Sequence, residues 1–286
     1  MQLIPWSFHS KHGFTLRGHH SQPSGKPLLH FLHGNGYCSL MYLPLLKKLA
    51  PYFDFFLSDA QGHGDSDHGG AFIGWNQSAE LATQAFKAHL PLFGEVPVYA
   101  CGHSFGGVLT ALINASDSKL FQQVILLDPV LFPPLLLNAM RALNFFGLYQ
   151  RNPMAKKALR RKDYWPTRLD AENYLTNRGM FKGWQAEALQ SYIDHALHHK
   201  EGLRLKCQPI REAEIFGSYP KGLWQALKKS CPQTLVLHGD QSYPFVGKAV
   251  GKWQKINNAV KAQQVPGGHC FMQQYPHETA ALMLQH

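Results

Sequence analysis

The chain has 286 residues, 45% of them hydrophobic, 16% charged and 12% aromatic, which supports a folded core and excludes a wholly disordered chain. Its longest apolar runs, around Pro129–Leu137 and Pro27–Leu32, are interrupted by prolines and fall short of the ~20 residues of a spanning helix, so no stable membrane insertion is expected. Lys and Arg number 28 against 18 Asp and Glu, a formal charge of +10, but no nucleic-acid-binding motif accompanies the excess and nucleic acid is not an expected partner.

The opening residues Met1 to Trp6 lack both a basic start and an apolar stretch, so no secretory leader is visible and a cytoplasmic protein is expected. Residues Ile4–His20 predict a leading antiparallel hairpin with Gly13 near its turn. Short apolar runs then predict strands at Leu28–Leu32, Phe53–Ser58, Val96–Cys101, Val124–Asp128, Thr234–His238 and Ala262–Val265. Helical patterns fall between them at Leu40–Ala50, Gln77–Leu90, Phe105–Ala115, Val246–Asn257 and Pro276–Leu284. This alternation predicts an α/β fold, a mostly parallel twisted sheet with helices on both faces. It breaks after Val124–Asp128. Residues 129–231 read as helical with no clear strand, opened by Pro129, Pro133 and Pro134 and closed at Ser230 to Pro232. We expect a helical cap over the sheet's C-terminal edge, inserted between core segments 1–128 and 232–286.

Gly102-His103-Ser104-Phe105-Gly106 fits G-x-S-x-G and lies between a predicted strand and a predicted helix. Glycines there permit a sharp turn that lifts the serine hydroxyl above the sheet, with the Phe105 amide at the helix N-terminus. The first inner strand runs into His33-Gly34-Asn35-Gly36, where the Asn35 amide offers a second oxyanion donor; a plain Asn-Gly turn is the competing reading. Asp59 to Ser66, rich in glycine, reads as a tight structural loop. Near the C-terminus Gly267 and Gly268 free the backbone before His269, projecting its imidazole from a loop as a general base requires. Its rival His277 falls at a helix start beside Glu278 and is expected to face solvent.

Together these motifs resemble the α/β-hydrolase superfamily over nearly the whole chain: HGNG at His33–Gly36, DAQGHGDS at Asp59–Ser66, GHSFGG at Gly102–Gly107, LLDP at Leu126–Pro129 and GGH at Gly267–His269. The resemblance implies Ser104 as nucleophile, His269 as base, and the Asn35 and Phe105 amides as oxyanion hole. The acid departs from the pattern. Many relatives place it three residues after the glycine that ends the penultimate strand, and here that residue is Ser242. Asp128, at the end of the strand after the nucleophile helix, and Asp240, one residue past Gly239, are the candidates, with Asp128 preferred. The implied activity is a serine esterase acting on a small-molecule carboxylic ester or thioester through an acyl-enzyme, without cofactor or metal. Acyl transfer or C–C cleavage on the same triad is the alternative, and an inactive binding protein of the same fold is a third reading.

The cap sequence opens with Leu131 to Met140 and continues through Leu143, Phe145, Phe146, Leu148 and Tyr149, suited to an apolar acyl or alcohol group beside ordinary packing. A predicted helix from Pro153 puts Lys156, Lys157, Arg160 and Arg161 on one face, with Met154, Ala158 and Leu159 opposite; Arg151, Lys162 and Arg168 add to the charge. This reads as a solvated basic face, with anion steering or an anionic membrane surface as further uses. His195, His198 and His199 share helical spacing within Tyr192–Lys200 and read as a polar face, since no acidic or cysteine ligand completes a metal set. Cys38, Cys101, Cys207, Cys231 and Cys270 are scattered without a CxxC pair and read as reduced thiols, Cys270 as sensitive to thiol reagents.

Overall fold

A computed structural model describes residues 1–148, 152–229 and 233–286. Strands β1 (Leu3–His9) and β2 (Thr15–Ser21) pair antiparallel around a turn in which Gly13 takes φ +80°. Next come β3 (Leu28–Leu32), β4 (Asp54–Ser58), β5 (Val98–His103) and β6 (Gln123–Leu127). All residues of β3 and β4 are buried, as expected for strands covered on both faces. Strand β5 begins two residues later than predicted. Pro97 precedes it and, lacking an N–H, contributes only its carbonyl, to the Leu28 amide.

Residues between β6 and the next strand of the main sheet hold helices Pro134–Phe145, Pro153–Leu159, Arg168–Leu175, Ala186–Ala196, Pro209–Phe216 and Leu223–Lys229. They also hold β7 (Tyr164–Trp165), β8 (Leu197–His199) and β9 (Leu203–Leu205), an antiparallel sheet in the order β7-β9-β8. The expectation of no strand here is therefore corrected. Strands of two or three residues are too short to display a period of two. The predicted helix through Lys200 is corrected as well: it ends at Ala196, and His198 and His199 point to opposite faces of β8 instead of sharing a helix face with His195. Tyr149, Arg151 and the segment 230–232, with Cys231, lie outside the described residues.

Strands β10 (Gln233–Gly239) and β11 (Val260–Val265) complete an eight-stranded sheet, order β1-β2-β4-β3-β5-β6-β10-β11, parallel from β4 to β11. Alternate residues of the same strands feed two apolar cores. Leu28, Leu32, Phe56 and Leu126 point to one, and Leu29, Phe31, Phe55 and Leu127 to the other. Pairing of Leu32 with Gly102, His103 with Leu127, and Leu127 with Leu237 aligns the strand ends. The loops after β3, β5, β6, β10 and β11 therefore gather along one edge. No helix among the described residues is long and apolar enough to cross a membrane.

Candidate active site

Ser104 sits between β5 and the helix Phe105–Ser116 with φ +55° and ψ −115°, a conformation that costs a non-glycine residue of order 1–3 kcal/mol. Its surroundings hold it there. The Ser104 N–H donates to Leu127 O at 3.0 Å, and the helix closes against the sheet at separations only glycine permits. A Cβ on Gly106 would lie 2.3 Å from Leu32 O, and one on Gly102 would lie 2.4 Å from Gly106 O. The Phe105 amide opens the helix and has no intrahelical acceptor.

The side chains of Ser104, His269 and Asp128 form one chain. Ser104 Oγ is 2.8 Å from His269 Nε2, and His269 Nδ1 is 2.5 Å from Asp128 Oδ2. With Nδ1–H donating to the carboxylate, Nε2 is left to accept the serine proton. Asp128 adopts φ +45° immediately beyond β6, and its side chain is fully buried. Two further donors compensate the charge: the Gly239 N–H to Oδ1 at 2.9 Å, and the Ser242 hydroxyl to Oδ2. Asp240 is exposed and does different work. Its Oδ1 accepts the Gly267 N–H at 2.8 Å, pinning the loop that carries His269. His277 is exposed on the helix Pro276–Leu284.

Beside this chain the His33–Gly36 loop is locked against the Asp59–Ser66 loop. Ala60 N–H donates to His33 Nε2 at 2.9 Å, Gly36 N–H donates to His63 Nε2 at 3.1 Å, and Ser39 N–H donates to Asp59 Oδ1 at 2.7 Å. Burial lowers the pKa of both imidazoles, so they stay neutral and can accept. Gly34 N–H donates to the Tyr42 hydroxyl at 3.2 Å, so the Asn35 amide lies between two that are already engaged.

Tyr42 extends this lock to the imidazole. Its hydroxyl lies 2.6 Å from His103 Nδ1, and His103 Nε2 lies 2.9 Å from the backbone oxygen of His269. Only one polarity satisfies the whole run: Gly34 N–H to Tyr42 Oη, Tyr42 O–H to His103 Nδ1, and His103 Nε2–H to His269 O. It requires a neutral His103, and burial, followed by the neighbouring His269, pushes that imidazole well below its ordinary range. Sequence reasoning missed His103 and Tyr42. The signal for His103 was a histidine one residue before Ser104 inside G-x-S-x-G, just past the predicted strand Val96–Cys101.

Other expected features change. Arg161 is not part of a solvated face: the helix ends at Leu159, and Arg161 turns inward to Glu212 (2.7 Å) and the Tyr192 hydroxyl (2.7 Å). Asn35 Nδ2 donates to Glu212 O at 3.1 Å, so the inserted segment clasps the Asn35 loop. Of the three residues expected beneath that helix, Ala158 is buried, with Ala155 beside it, whereas Met154 and Leu159 are exposed. In the apolar stretch Leu131, Leu137 and Met140 are buried, whereas Leu143, Phe145, Phe146 and Leu148 face solvent. Cys270 is buried with its thiol 3.3 Å from the Tyr37 hydroxyl, and burial raises its pKa to about 12, an environment that argues against the expected sensitivity to thiol reagents. The Tyr243 ring packs 4.9 Å from that of His269.

A model of the alpha/beta hydrolase family matches residues 31–282. The chain belongs to that family. A curated relative, the abhydrolase domain-containing protein ACTT2-1 of Alternaria alternata, is 31% identical over 157 residues, 54% of this chain and 49% of that one. The matched region spans about half or less of the length of such relatives, 39% for the AKT2 protein of the same fungus. Among solved structures, E-2-(acetamidomethylene)succinate hydrolase superposes with TM-score 0.80 at 20% identity, covering 99% of this chain and 98% of that one. A thioesterase domain from the curacin biosynthetic pathway gives TM-score 0.75 at 17% identity and full coverage of both chains. These two likenesses bear on the fold.

Proposed function

We propose that the protein is a serine hydrolase that cleaves small-molecule carboxylic esters or thioesters through an acyl-enzyme on Ser104. The observation that carries this reading is the unbroken run from Ser104 Oγ through His269 to the buried Asp128, at 2.8 and 2.5 Å. His269 Nε2 takes the Ser104 proton as Oγ attacks the carbonyl carbon, and the Asn35 and Phe105 amides receive the developing oxyanion. The imidazolium returns its proton to the departing alcohol or thiol, leaving the acyl group on Oγ. Water, deprotonated by the same imidazole, then attacks the acyl carbon, releases the acid and restores Ser104. Asp128, at the end of β6, acts as the acid in place of a residue at position 242. Residues 129–231 form the cap, and segments 1–128 and 232–286 form the core.

A fluorophosphonate probe tests the nucleophile. We expect labelling at Ser104 that disappears in Ser104→Ala; folded wild-type protein that resists the probe refutes the reading. A series of p-nitrophenyl esters and matched thioesters then separates hydrolysis from the C–C cleavage and acyl-transfer alternatives. Turnover with water as the sole acceptor supports the ester or thioester reading.

A further inference from the structure

Helix Pro134–Phe145 turns only Leu137 and Met140 inward, and every residue from 141 to 148 is exposed. Leu135 is 82% exposed, Phe145 85% and Phe146 70%, the two phenylalanine rings meeting each other at 5.3 Å. The next described helix, Pro153–Leu159, buries Ala155 and Ala158 beside Ala213 and leaves Met154 and Leu159 outside with Lys156 and Lys157. Leu148 and Asn152 are four residues apart, so the end of the exposed apolar stretch and the start of the basic helix lie within about 15 Å of each other.

Charge identifies what covers this region. From residue 129 to residue 162 the sequence has no Asp or Glu, and Arg141, Lys156, Lys157, Arg160 and Lys162 are all exposed. Water-exposed apolar patches of this kind mark docking sites, and phenylalanine and leucine flanked by Lys and Arg are the composition of interfacial helices. A second copy meeting the same face about a two-fold axis would set cations against cations. We infer that this face docks reversibly on an anionic bilayer, Leu143, Phe145, Phe146 and Leu148 entering the acyl boundary and the lysines and arginines meeting headgroup phosphates. The inference is independent of the hydrolytic reading. The segment leaves the sheet beside Ser104, whose carbonyl accepts the Val130 N–H at 3.4 Å, so the docking face is continuous in chain with the candidate site.

Co-sedimentation of the full chain with sucrose-loaded vesicles tests it, comparing phosphatidylcholine alone with a mixture containing phosphatidylglycerol. Binding to the anionic mixture is expected, at least about tenfold tighter than to phosphatidylcholine and weakened by salt. Lys156→Gln/Lys157→Gln lowers the partition coefficient about thirty-fold, at roughly 1 kcal/mol per removed charge. Phe145→Ser/Phe146→Ser lowers it at least about tenfold with an unchanged melting temperature. No binding to anionic vesicles, equal binding to neutral ones, or binding undiminished in both variants overturns the inference. A concentration-dependent dimer in sedimentation velocity, dispersed by Phe145→Ser/Phe146→Ser, overturns it too, because a second copy then covers the face.

Discussion

Replacing His103 by leucine separates its hydrogen bonds from its bulk. In the native protein His103 Nε2–H holds the backbone oxygen of His269 at 2.9 Å, while Nδ1 accepts from Tyr42 at 2.6 Å. Leucine fills much of the space and leaves both partners unmet, which costs about 1–3 kcal/mol for each buried group. The catalytic consequence comes from position. A base loop free to drift by about 1 Å loses on the order of 100-fold in rate, so His103→Leu should lower kcat about 10- to 100-fold while KM changes less than about threefold. His103→Gln keeps one donor and one acceptor and should recover kcat to within about fivefold of wild type. Tyr42→Phe removes the preceding bond, and its effect should be less than additive with His103→Leu, since both break one run. Steady-state hydrolysis of a p-nitrophenyl ester, with the rate of Ser104 phosphonylation alongside, reads each case. A folded His103→Leu enzyme with kcat within about threefold of wild type, or His103→Gln no faster than His103→Leu, refutes the positioning argument.

Further consequences follow from the same geometry. Asp128→Asn should lower kcat about 10⁴-fold and Asp240→Asn less than about threefold, because only Asp128 reaches His269; the reverse order in steady-state assays removes Asp128 from the triad. Ser242→Ala withdraws one donor from the Asp128 carboxylate and should cost about tenfold in kcat, read in the same assay against Ser242→Thr, which keeps the hydroxyl. Burial lowers the His30 pKa to about 3, so below about pH 6.5 the unfolded chain takes up a proton that the folded chain refuses. Unfolding free energy from this residue then falls by about 1.4 kcal/mol per pH unit as pH drops, about 5 kcal/mol in all, and His30→Leu should flatten urea-denaturation stability between about pH 6 and pH 4 by that slope. Cys270 in the folded protein should resist N-ethylmaleimide and react once the chain is unfolded, as mass spectrometry of the Cys270 peptide would show.

Apolar runs and glycines were the legible parts of this sequence. Leu28–Leu32 was readable because both faces of the strand are covered and the run needs no alternation, and Gly102 and Gly106 because backbone approaches on both sides leave room for no Cβ. What stayed illegible depends on partners distant in sequence. Arg161 looks like one more cation on a basic helix until Glu212 and Tyr192 arrive from later elements to draw it inward. His103 reads as a variable position within a motif, and only the fold brings Tyr42 and the His269 carbonyl to its two nitrogens. The short strands β7, β8 and β9 carry too few residues for a pattern, and Phe145 and Phe146 look like core residues because apolar character says nothing about which surface receives it.

The location of the carboxylate shows how one substitution constrains several residues. A carboxylate as buried as that of Asp128 needs compensation for its lost hydration, and the imidazole alone cannot occupy all its acceptor sites. β6 and β10 are hydrogen-bonded neighbours, and the loop after β10 reaches over the end of β6 with a backbone donor at Gly239 and a hydroxyl at Ser242. Ser242 occupies the position where many α/β-hydrolases carry the acid itself. A second carboxylate there would meet Asp128 at hydrogen-bonding distance, and two such charges cannot both ionise without raising one pKa strongly. A hydroxyl instead donates, so Ser242 adds a hydrogen bond to the Asp128 carboxylate beside the one from His269. The φ of +45° at Asp128 belongs to the same solution, since it turns the chain out of β6 at the residue whose carboxylate must meet both that loop and the imidazole.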